Sequence, residues 1–178
     1  MVPLVCEGAE KKPSPKPAPL PPAKVAPAAA RDTAVNDVNV QPMFKSAEEL
    51  FKKGKADDAL RAFSIIYRYA KDMLSFLQII QPNYEKLAKE SASMSQEDKE
   101  ALFIKQKRVQ ELTSKYTSLR IESAYYVGAL YAQKGDAEQA RKYLLEVCQT
   151  APFSLSPKST WFKSKNILLA LFQLEGEF

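Results

Sequence analysis

Two phrases 81 residues apart are near copies: LFKKGKADDAL around Gly54 and LYAQKGDAEQA around Gly135. In each, a run carrying an aromatic reaches glycine, the residue that tolerates the left-handed conformation just past a helix end. A small residue and acids then open what reads as a second helix. Counted outward from the two glycines, the partners align without gaps: Ala47 with Gly128, Leu50 with Tyr131, Ala59 with Ala140, Phe63 with Leu144, Ile66 with Val147. The chain has only five glycines, yet Gly128 and Gly135 lie seven residues apart. One permits close approach of two helices, because it has no Cβ. The other turns the chain. A third, shorter phrase, LFQLEGEF around Gly176, carries a first helix toward glycine.

In order, Gly128 is the small contact, Tyr131 the aromatic beside it and Gly135 the turn. Ala140 is the small residue of the second helix, Leu144 and Val147 its large apolar positions, and Pro152 its end. This set resembles the tetratricopeptide repeat, a helix–turn–helix unit of about 34 residues. The resemblance fills every signature position over residues 121–152. It is partial over 43–66, where Gly54 and Ala59 hold the matching places, and reaches only a first helix over 159–178. It implies an all-α stack whose surface binds another protein or a peptide. By analogy with the inner face of first helices in that family, it implies contacts at Tyr125, Lys163, Asn166 and Gln173.

The spacing departs from the family, and the excess has its own pattern. Phe63, Tyr67, Ala70, Leu74, Leu77, Tyr84 and Ala88 alternate by fours and threes, with Gln81 as the exception. Beyond a polar break at SASMS, residues 91–95, the same register runs through Leu102, Val109, Leu112, Tyr116, Leu119, Tyr126 and Leu130, with Ser123 out of pattern. A sustained seven-residue apolar repeat is the mark of coiled-coil packing. The expectation is therefore an antiparallel coiled-coil hairpin inserted between the repeats, its tip near residues 91–96. Each arm would be a helix of about 36 residues, roughly 54 Å long. Pro82 should bend the first arm, since it removes a backbone donor.

Nine of the twelve prolines fall in the first 42 residues. The stretch PSPKPAPLPPAKVAPAAA offers only alanine, leucine and valine as apolar side chains, too little to offset the entropy of ordering it. Residues 1–42 thus read as a disordered Pro/Ala/Lys-rich tether, and residues 43–178 as the helical domain. The opening MVPLVCEG, residues 1–8, reads either as the remnant of a signal peptide whose basic start lies upstream or as an unstructured end. Pro3, Leu4 and Val5 lack the small residues expected before a lipidated Cys6.

Most chemistry is removed by composition. There is no histidine, and Cys6 and Cys148 make neither a disulfide framework nor a zinc site. No glycine-rich phosphate loop or activated nucleophile is present, so an enzyme, a metal or a cofactor is not expected. The net charge of +5 invites nucleic acid, but the cluster Lys105, Lys107, Arg108 is surrounded by Glu97, Asp98, Glu100 and Glu111 without a recognition motif. No run of 18 apolar residues occurs, so no transmembrane segment is expected.

From Trp161 to Leu174 eight large apolar side chains occupy fourteen positions, more than a surface helix needs. Either part of this surplus folds back onto the long helices, or a partner or a second copy covers it, and on the second reading Leu168 and Phe172 are candidates for the contact face. With its Pro/Ala-rich tether and the ending APFSLSPKSTWFKSKNILLALFQLEGEF, the chain is similar to bacterial envelope repeat proteins such as the Tol–Pal coordinator and outer-membrane assembly lipoproteins. That similarity implies a periplasmic scaffold. The alternative is a cytoplasmic adaptor or chaperone that meets its partner through the coiled-coil hairpin.

Overall fold

The computed structural model describes residues 34–176; the expectations for residues 1–33, including the signal remnant and Cys6, lie outside them. Among the described residues all regular structure is helical. It comprises α1 Val40–Lys52, α2 Ala56–Lys89, α3 Gln96–Gln133, α4 Ala137–Thr150 and α5 Thr160–Phe172, with one 3-10 turn at Ser91–Ser93.

Ordered chain begins before Met43, so the boundary read from proline content lies too far downstream. The Asn36 side chain accepts from the backbone N–H groups of Val38 and Asn39, both at 3.0 Å, and Asn39 Oδ1 accepts from Asn36 N–H at 2.8 Å. This closed turn launches α1. Val40 is fully buried. Pro42 sits in the first helical turn, where its missing N–H has no intrahelical partner to lose. What holds the segment is distant in sequence. Asp37 Oδ1 accepts from Lys115 Nζ and from the Tyr116 hydroxyl, each at 2.5 Å. Both hold the Asp37 carboxyl below the ordinary carboxylate range.

The two glycine turns are built alike. Gly54 has φ +72° and Gly135 φ +79°. At the first, Gly54 N–H donates to the Phe51 carbonyl and Lys55 N–H to the Leu50 carbonyl; at the second, Gly135 pairs with Ala132 and Asp136 with Tyr131. These paired bonds satisfy the carbonyls that a helix end leaves free. The aligned positions also agree in burial. Ala47 and Gly128, Ala59 and Ala140, Phe63 and Leu144, and Ile66 and Val147 are all buried, while Leu50 and Tyr131 are half-buried.

The third phrase behaves differently. α5 stops at Phe172, and Gln173, at φ 58°, takes the left-handed cap position; Gly176 is also left-handed, at φ +87°, but three residues past the cap. Gln173 N–H donates to Ala170 and Leu174 N–H to Leu169, so the helix is already capped when the chain reaches Gly176. This phrase shares the left-handed glycine with the other two, but here the glycine does not close the helix.

Between the glycines lie the two longest helices. α2 has 34 residues and α3 has 38, about 51 and 57 Å. The chain runs out along α2 and returns along α3: Phe63 stacks on Tyr126 at 4.3 Å, Tyr69 meets Tyr116 edge-on at 5.7 Å, and Gln106 donates to the Tyr84 carbonyl at 3.2 Å. Buried residues on the facing sides include Phe63, Ala70, Leu74 and Leu77 on α2, and Leu102, Val109, Tyr116 and Leu119 on α3. Ser123, out of pattern by composition, is fully buried and donates to the Leu119 carbonyl at 2.5 Å. α2 is continuous through Pro82. Near it, the Asn83 amide donates to the Ile79 carbonyl at 3.1 Å. α3 starts on a reciprocal cap, Asp98 N–H to Ser95 Oγ and Ser95 Oγ–H to the Asp98 carboxylate.

α4 and α5 close the other end. Asp136 and Ser159 cap them, each accepting a backbone N–H at 3.1 Å. Arg120 on α3 and Tyr67 on α2 both donate to Glu146 on α4, tying three helices through one half-buried carboxylate.

Candidate functional site

With α1 packed against α3 through Tyr126 and α5 reaching Tyr125 through Lys163, the candidate surface lies along α3 around Tyr125. Its neighbour Tyr126 is turned inward, stacked on Phe63 and packed edge-on against Phe44 and Phe51. The Tyr126 hydroxyl donates to Glu48 Oε1 at 2.9 Å, which fixes α1 against α3. Adjacent residues on a helix diverge by about 100°, so Tyr125 points away from Phe63 and is half-buried against the clusters around Val147 on α4 and Leu168 on α5. There the Lys163 ammonium lies 5.9 Å from the centre of its ring. α5 places that lysine because Ser159 caps the helix start and Leu168 anchors its middle.

Glu122 stands one turn from Tyr125 on α3. Its carboxyl is accessible to solvent, yet the helices crowding it raise its pKa above the ordinary value, and Glu48 across the gap raises it further. Beside it an open hollow is lined by Ser118, Ile121, Pro152 and Trp161, among others. Trp161 is held edge-on to Phe153, with its indole N–H donating to the Cys148 carbonyl at 3.1 Å. The site therefore offers two carboxylates, aromatic ring faces and a lysine at its edge. Cys148 is half-buried, and burial pushes its thiol up, away from the reactive thiolate.

Of the residues the sequence singled out for contact, the structure brings together Tyr125 and Lys163. Asn166 is exposed farther along α5, beside Leu169 and Glu175. Gln173 is the left-handed cap of that helix, a conformational role its polar side chain did not announce. Leu168 corrects the expected apolar contact face: it is 7% exposed and packs with Ala140 and Leu144. Phe172 remains 45% exposed, with the Arg141 guanidinium 5.7 Å from its ring centre. Phe172 lies one turn beyond Leu168 on the same stripe, in the last turn of the helix, past the point where Ala140 and Leu144 cover it. Glu48 and Glu122 were missed. No local motif marks them, since each becomes notable only once the other faces it.

Comparison with protein-family models, curated proteins and solved structures finds no match. No helix among the described residues is long and apolar enough to cross a membrane.

Proposed function

We propose that this chain is a non-enzymatic interaction scaffold: tetratricopeptide-like helical pairs, interrupted by a coiled-coil hairpin, bind another protein through the surface of α1, α3 and α5. The observation that carries the reading is at Gly128. A Cβ built there would lie 2.7 Å from Leu144 Cγ, so the first helix of the second pair touches its partner where the repeat pattern requires a small residue. Helical pairs of this kind stack to leave a peptide-binding face. Glu48, Glu122, Tyr125 and Lys163 occupy that face here. We place the scaffold in the bacterial envelope, on the similarity of its Pro/Ala-rich segment and of the Pro–Ser linker before α5 to those of envelope repeat proteins.

Glu122 gives the test its sharpest variant. Its raised folded-state pKa means that the folded chain favours the protonated form. The stability it contributes is full below the ordinary value of 4.5 and is lost as pH rises through the folded value. At neutral pH its carboxylate therefore opposes folding. Glu122→Gln should raise stability at pH 7, more than at pH 4, while weakening partner capture. The measurement is cross-linking in cells with a photoreactive residue at Ser118 or Asn166, and at Gln149 on α4 as the control. A discrete adduct at the first two positions, diminished by Glu122→Gln and Tyr125→Ala, is expected. Equal adducts at Gln149, or none at the groove, would remove the binding face.

A further inference from the structure

A second surface lies at the far end of the α2–α3 arm. Five of the twelve large apolar side chains that are exposed among the described residues fall between residues 76 and 104: Phe76, Ile79, Leu87, Phe103 and Ile104. Phe103 and Ile104 are 66% and 67% exposed, beside a shallow hollow that Gln96, Lys99 and Glu100 complete. The chain's own register extends the patch. Gln106 bonds the Tyr84 carbonyl, so Leu87, three residues farther out on α2, stands level with Phe103.

Charge along this part of α3 is ordered. Glu97, Asp98 and Glu100 precede the apolar pair, and Lys105, Lys107 and Arg108 follow it, with Lys99 the one exception to the sorting. The change of sign is centred on Phe103 and Ile104. Two such segments laid antiparallel about a two-fold axis bring each acidic end against the other's basic end, with four apolar side chains in the middle. A self-complementary patch of this kind is what an isologous contact requires. A parallel pairing would set like charges together. The residues are free to take part. Glu100 accepts only from the exposed Gln96 one turn earlier, and Arg108 keeps an exposed guanidinium despite long contacts of 3.7 Å to Asp37 and 3.5 Å to Glu111.

We propose that the arm tip is a self-association surface, on which residues 96–108 of α3 pack antiparallel against the same segment of a second copy, with Phe103 and Ile104 at the dyad. The inversion of charge centred on the apolar pair selects a second copy over an unrelated partner, for which no such symmetry is needed. The contact is independent of the groove at Tyr125, and leaves it open in both copies. A contact confined to one helical segment falls at or below the low end of specific interfaces, roughly 1,200 Å² in total, where association is weak, and the dimer is expected to form with Kd roughly between 1 μM and 1 mM.

Sedimentation of the full chain from about 1 μM to about 1 mM tests this across the expected Kd. A monomer–dimer equilibrium is expected, with Phe103→Glu and Ile104→Glu each raising Kd at least about tenfold while leaving the far-ultraviolet circular dichroism unchanged. Glu100→Lys and Lys107→Glu should each weaken the dimer, and together restore it. With Cys6 and Cys148 changed to serine, Ile104→Cys should form a disulfide-linked dimer under mild oxidation, whereas Val38→Cys should not. A chain that stays monomeric up to about 1 mM, a dimer indifferent to Phe103→Glu, or charge reversals that merely add would each overturn the proposal.

Discussion

Gly128 and Gly135 are the same residue doing unlike work, and the difference is measurable. At Gly135 an added Cβ meets nothing within 4 Å, but φ is +79°, a backbone conformation that costs other residues about 1–2 kcal/mol. At Gly128 the backbone is ordinary helix and the obstacle is Leu144, whose Cγ and Cδ2 would lie 2.7 and 2.9 Å from the new atom. Leu144 is fully buried, and its backbone N lies only 3.3 Å from the new atom, so rotating the side chain does not remove the whole contact. Gly128→Ala is therefore expected to lose about 1–3 kcal/mol to overpacking, against a helix-propensity gain of about 1 kcal/mol. Gly128→Leu should cost more. Urea denaturation gives the sign directly: a stabilised alanine variant would show that the helices do not need this approach. Both roles were legible in the sequence because they follow from spacing within one helical pair. The Asp37–Lys115–Tyr116 cluster was not, since it joins residues nearly eighty positions apart.

At the scale of elements, the heptad spacing named the facing residues of α2 and α3 well. Phe63, Ala70, Leu74 and Leu77 are buried as the register requires, as are Leu102, Val109, Tyr116 and Leu119. It did not show where the seam thins. Beyond Leu77 no side chain on α2 is fully buried, and before Val109 only Leu102 is on α3. Periodicity reports which face a residue takes, while burial depends on what else packs there, and α1 and α4 cover only the near part of the arm. Pro82 adds to the weakness, because the Gln78 carbonyl loses its helical donor. Local opening follows local burial. Backbone amides from residues 80 to 105 should exchange hydrogen at least about tenfold faster than those flanking Tyr116 and Phe63, and Pro82→Ala should slow them. Uniform protection along both arms would contradict this and show that the thin seam is as strong as the thick one.

For the whole molecule, the last helix decides how far the sequence could be read. Eight large apolar side chains from Trp161 to Leu174 left two readings open, a fold back onto the long helices or an uncovered contact face, and the count alone did not say which residue takes which place. α4 covers α5 at Leu168 through Ala140 and Leu144, and Phe172 lies one turn farther on, next to the cap at Gln173. Leu168 thereby enters the core beside Ala140 and Leu144, leaving Phe172 at the margin. Docking of α5 rests mainly on Leu168 and on Trp161, the only tryptophan of the chain, whose indole is held by the Cys148 carbonyl. Leu168→Ala should cost about 2–5 kcal/mol at that contact. As the last described helix, α5 can then leave before α1–α4 unfold. Trp161 fluorescence should shift to the red at a lower temperature than the loss of helical circular dichroism, whereas the two transitions coincide in the unaltered chain. Phe172→Ala, at a half-exposed position, should move stability by no more than about 0.5 kcal/mol. A single coincident transition in Leu168→Ala would mean that α5 is held from elsewhere, and a large loss in Phe172→Ala would mean that the exposed ring, not the buried leucine, anchors it.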